Sequence, residues 1–148
     1  MNELAKALAE VRDAEKQLAQ VFLGVAEQSV NGQDFRRGCT VMSSWSQAHL
    51  RKIENLPAES GVPLNAAPDD DSAWLRNVPE DHFGLCDFEY LLLLVHHVRG
   101  AWSAVRQAAH EIDADEIAQL ATQSASDTDR QIAWLTACQI RRPNVGVV

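Results

Sequence analysis

ELAKALAEVRDAEKQLAQVFLGVAEQ, residues 3–28, sets Leu4, Leu8, Val11, Leu18, Phe22 and Val25 at alternating steps of four and three. That rhythm returns every apolar side chain to one stripe of an α-helix, because about 3.6 residues complete a turn. Proline is absent from the stretch and its one glycine, Gly24, stands near the end, so nothing interrupts the helix. A stripe this long needs a partner along its whole length, and several such helices side by side make a bundle. One stripe position, between Val11 and Leu18, holds a carboxylate: Glu15.

Moving outward, Asn31-Gly32 stops the first helix and a second is predicted over 33–56, with Phe35, Gly38, Met42, Trp45, His49, Ile53 and Leu56 along one face. Its polar intruder is His49, and Pro57 ends it. Residues 57–84 carry Pro63, Pro68, the run Asp69-Asp70-Asp71 and no periodic pattern, which suits a crossover running the length of a bundle, with Trp74 and Leu75 to tack it down. A third helix is predicted over 85–112, with Phe88, Leu91, Val95, Val98, Trp102, Val105, Ala109 and Ile112 as its stripe. Beside that stripe runs a polar ridge of His96, Arg99, Ser103, Arg106 and His110. The fourth, over 115–141, opens on Asp115 and Glu116 and closes on Arg141-Arg142-Pro143, charges that suit the helix dipole. The expected fold is one all-α domain over 1–148, an antiparallel four-helix bundle whose long crossover leaves helices two and three parallel, the ferritin-like arrangement.

Composition bounds the function. A chain of 148 residues with 46% hydrophobic and 23% charged side chains can build a single core. Its longest apolar run, 90–95, is too short to span a bilayer, so no membrane partner is expected. The start Met1-Asn2-Glu3 lacks a basic, then apolar leader, and a cytoplasmic location is the expectation. Cys39, Cys86 and Cys138 form no CxxC pair and read as small core residues. A net charge of −8 repels phosphate backbones, so no nucleic-acid partner is expected either. Phosphate-cradling glycine loops, a Gly-x-Ser-x-Gly elbow and the spaced ligands of an EF-hand are all missing from the sequence.

The helix midpoints fall near residues 15, 45, 98 and 128, and polar residues gather at that level: Glu15, Ser46, His49, His96, Arg99, Asp127 and Asp129. A carboxylate in a bundle stripe costs several kcal/mol unless it is paired or metal-bound. One compensation is iron or manganese held by Glu15, His49, His96, Asp127 and Asp129, since such bundles bind metal through Glu residues and Glu-x-x-His pairs. The other is a buried network in which the Arg99 guanidinium stands in the place of the ions.

The stretch Asp13-Ala14-Glu15-Lys16-Gln17-Leu18, followed by His49-Leu50 and Ile53-Glu54-Asn55-Leu56, resembles the YciF-like family of ferritin-related bacterial stress proteins over most of the chain. The resemblance implies that Glu15 corresponds to a first-helix metal ligand and His49 to the histidine of a second-helix Glu-x-x-His pair, whose glutamate is here Ser46. The family's third-helix V-E-H-Y-E aligns with Val95-His96-His97-Val98-Arg99, where His96 and Arg99 replace both glutamates. A fixed cation at 99 beside a dication is unfavourable at low dielectric. The expected function is therefore that of a ferritin-like bundle with a degenerate, metal-free centre and no cofactor, a non-catalytic homodimer that acts through its surface or a small ligand. The alternative is an iron- or manganese-binding oxidoreductase of stress defence. A bundle of the DinB type, with three histidine ligands, is a third reading, whose histidine spacing this chain lacks.

Overall fold

Four helices and no strand account for the regular structure of residues 2–27, 32–56 and 87–141, the part of the chain that the computed structural model describes. They are α1 (Asn2–Glu27), α2 (Gln33–Glu54), α3 (Asp87–Glu111) and α4 (Asp115–Arg141). Each lies within about two residues of the helix read from the sequence, the ordinary scatter of helix ends. The crossover expected over 57–84, with Trp74 and Leu75, lies outside the described residues, as does Cys86.

α1 packs broadly against both α2 and α3, and α3 packs broadly against α4, whereas α2 and α4 meet sparingly. The stripe on α1 explains its place: Leu4, Leu8, Val11, Leu18 and Phe22 are all buried, and small residues on both sides, Ala5, Ala7, Ala14, Ala19 and Ala26, let two neighbours approach. On α3 the stripe is buried from Phe88 to Ala109, but Ile112 is 42% exposed. On α2 the deepest line is Cys39, Met42, Ser46, His49 and Ile53, with Ser43 beside it, so Cys39 and Ser46 are buried where Gly38 and Trp45 were expected, while Met42, His49 and Ile53 keep their places. Phe35, Trp45 and Leu56 remain half-buried, packed against the core.

Two local features fix how the helices meet. Between α3 and α4 the chain turns through Asp113, which takes a left-handed φ of 56° that Asp tolerates better than most residues. There the Ala114 amide donates to the Ala109 carbonyl at 2.9 Å. At the other end of α4, Trp134 stacks on Phe35 of α2 with ring centroids 5.5 Å apart. Gly38, one turn along from Phe35, makes room for that indole: a Cβ built there would stand 2.0 Å from Trp134 Cζ2. Among the described residues no helix is long and apolar enough to cross a membrane.

Candidate functional site

Glu15 is fully buried on the α1 stripe, and two neighbours meet its Oε2 atom. From α3, the indole Nε1–H of Trp102 donates to it at 2.8 Å. From α2, His49 Nδ1 lies 2.5 Å away. The other ring nitrogen, Nε2, is 3.0 Å from Oδ2 of Asp127 on α4. Four helices therefore converge through a chain of charged and polar groups, Trp102–Glu15–His49–Asp127. The Trp102 ring also stands edge-on to the imidazole, with centroids 5.9 Å apart.

The charge state of His49 follows from its partners. A neutral imidazole has one N–H, but here both nitrogens face carboxylate oxygens, so the imidazolium, donating twice, satisfies the geometry. Burial pushes the His49 pKa down, while the hydrogen bonds and charges of Glu15 and then Asp127 push it up and prevail, leaving it above the ordinary 6.5. Asp127 keeps 35% of its side chain exposed and joins the chain to solvent. At the inner end, Glu15 Oε1 is buried with no partner among the described residues, an acceptor left open in the core. Chemically, this is a route by which a proton can pass from water at Asp127 to the imidazole and on to a buried carboxylate.

A second polar group sits on the same side of α2. Gln131 of α4 donates from Nε2 to the Met42 carbonyl at 3.0 Å and to Ser46 Oγ at 3.2 Å, and Ser43 Oγ donates to the Ala19 carbonyl at 2.9 Å. Ser124 and Thr128 complete the buried polar face of α4.

Of the residues predicted from sequence, the structure unites Glu15, His49 and Asp127 and buries Ser46 nearby. It separates the rest. His96 is exposed. Arg99, expected as the buried counter-cation of Glu15, instead pairs at the surface with Asp129, Nε to Oδ1 at 2.8 Å, with 36% and 57% of the two side chains exposed. The reason is rotational: positions 96 and 99 stand one residue past the buried Val95 and Val98, roughly 100° around the helix. His49 and Trp102 do for Glu15 what Arg99 was expected to do. The stripe position of Trp102 predicts packing alone, and neither Ser43 nor Gln131 is among the predicted site residues. Continuing the α4 stripe in steps of four and three from Ile117 and Ala121 would have reached Ser124, Thr128, Gln131 and Leu135, all buried.

The donor set can be tested against the metal centre that the family resemblance implies. An ion at Nδ1 of His49 would meet Glu15, and one at Nε2 would meet Asp127; no single position serves both carboxylates and the ring. The indole on Glu15 Oε2 is a donor and offers no lone pair. Among the described residues no three His, Cys, Asp or Glu side chains are grouped as an ion requires. No protein-family model, curated protein or solved structure matches the chain.

Proposed function

We propose that this chain is an antiparallel bundle of the ferritin-like arrangement that acts by binding rather than by metal redox chemistry, its centre closed by the Glu15–His49–Asp127 ion-pair chain. The arrangement is supported by how the helices pair. Glu15 and Ala19 of α1 meet His49 and Ser43 of α2, and His49 and Ser46 of α2 meet Asp127 and Gln131 of α4, so numbers rise on one helix as they fall on its neighbour. A turn of a few residues makes α3 and α4 a hairpin. With α1 beside both α2 and α3, the end of α2 and the start of α3 then fall at opposite ends of the bundle.

The single observation that carries the binding reading is that both His49 nitrogens are taken up by carboxylates on opposite edges of the ring. The competing reading, a metal-dependent oxidoreductase, draws on the open Oε1 of Glu15, an acceptor that an ion could use. Elemental analysis of protein purified without chelator separates the two. Less than a tenth of an equivalent of iron or manganese, roughly, is expected after loading and desalting. Stoichiometric metal that is lost in Glu15→Ala and His49→Ala would overturn the proposal.

A further inference from the structure

We propose that the groove between α3 and α4 is a binding site for a small oxyanion, a phosphate or carboxylate group on a diffusible molecule. The groove has a volume of about 380 Å³ and is lined by Arg99, Arg106 and His110 on one wall, with Ser126 and Asp129 on the other. Two guanidiniums thus face one carboxylate, in a chain whose net charge is −8. A local excess of cations on an acidic surface draws small anions to that place.

The donors are set for such a ligand. Arg99 is held by Asp129 on Nε and by Ser103 Oγ, which accepts from Nη1 at 2.6 Å. Its Nη2 group has no partner among the described residues, and the two bonds orient the guanidinium. Arg106 lies two turns further along the same face and His110 one turn beyond it, and no carboxylate among the described residues pairs with Arg106. Ser126 adds a hydroxyl from α4 with no other partner among the described residues. An oxyanion between these groups would receive charge-assisted hydrogen bonds from two or three sides.

Trp102 also lines this groove, and its indole N–H is bonded to Glu15. Trp102 is fully buried beneath the groove, so its indole N–H is the core resonance expected to shift when an anion occupies the groove. The groove supplies the ligand class that the binding reading lacks, and it rests on that reading.

The experiment titrates the ¹⁵N-labelled, metal-free full chain with inorganic phosphate and, separately, with malonate, at constant ionic strength held by chloride. The assigned Trp102 indole N–H resonance is followed. A saturable shift is expected, and Arg106→Gln is expected to weaken it about tenfold or more, since a hydrogen bond to a charged group is lost. Arg36→Gln, in a different groove, should leave it unchanged. Saturation by phosphate alone, by malonate alone or by both supports the site and assigns its preference. A flat or non-saturating response, or one that Arg106→Gln does not alter, overturns it. Bound iron or manganese would remove the binding reading whatever the titration gives, whereas a flat titration of metal-free protein removes the groove alone.

Discussion

Glu15 and Arg99 illustrate how differently two charged residues at one level of a bundle can count. Glu15 is fully buried and its loss strands the His49 Nδ1–H and the Trp102 N–H, so Glu15→Ala is expected to lower the unfolding free energy by about 3–5 kcal/mol in a denaturant titration. Arg99→Ala breaks a pair in water, and about 0–1 kcal/mol is expected in the same measurement. Equal losses in the two variants would contradict the placement of both residues. The raised His49 pKa also gives stability a pH dependence with a definite sign. Below the ordinary value of 6.5 its ion pairs contribute in full, and the contribution is lost as pH rises through the higher folded value. The stability gap between the natural protein and His49→Gln should accordingly shrink on the alkaline side; a gap that widens with pH would mean that the folded imidazole is neutral. Glu15 and His49 were legible in the sequence because each breaks an apolar stripe, and Asp127 because it shares their level. Level alone misplaced His96, Arg99 and Asp129, since height along a helix says nothing of the direction in which a side chain leaves it.

At the scale of the element, the glycines of α1, α2 and α3 make a controlled comparison. A Cβ at Gly24 or Gly100 would have nothing within 4 Å, so Gly24→Ala and Gly100→Ala are expected to raise stability by about 0.5–1 kcal/mol through helix propensity. Gly38→Ala gains the same propensity but drives its methyl into Trp134, which Phe35 backs by stacking, and overpacking of about 1–3 kcal/mol should turn the sign. Thermal or urea unfolding of the three variants checks this, and a stabilised Gly38→Ala would show that the indole can swing away. The helices themselves were the most readable part of the chain, because period and stop signals act locally. Less readable was the face of α2, where Cys39, Ser43 and Ser46 are buried while Phe35 and Trp45 stay half out. Polar residues can line that interface because the Ala19 carbonyl of α1 accepts from Ser43 and Gln131 of α4 donates to Ser46, a fact that belongs to neighbouring helices and not to α2.

For the molecule as a whole, Cys39 offers a probe of opening. It is fully buried, and burial first, then the Cys138 thiol, pushes its pKa up to about 12. Its modification by a disulfide reagent at neutral pH, followed by mass spectrometry, should run at the rate of unfolding, while rapid native-state labelling would show a path of access through the fold. The unequal seams say where such a path begins. α1 grips α2 on one side and α3 on the other, but α2 touches α4 sparingly, through His49–Asp127, the Gln131 bonds and the stack of Phe35 on Trp134. Among the described residues the bundle is built like a book with α1 for its spine, and the opposite edge is fastened by a few polar clasps and one aromatic stack. Amide exchange should therefore loosen along α2 and α4 before α1, and the first water let in would arrive beside the imidazole.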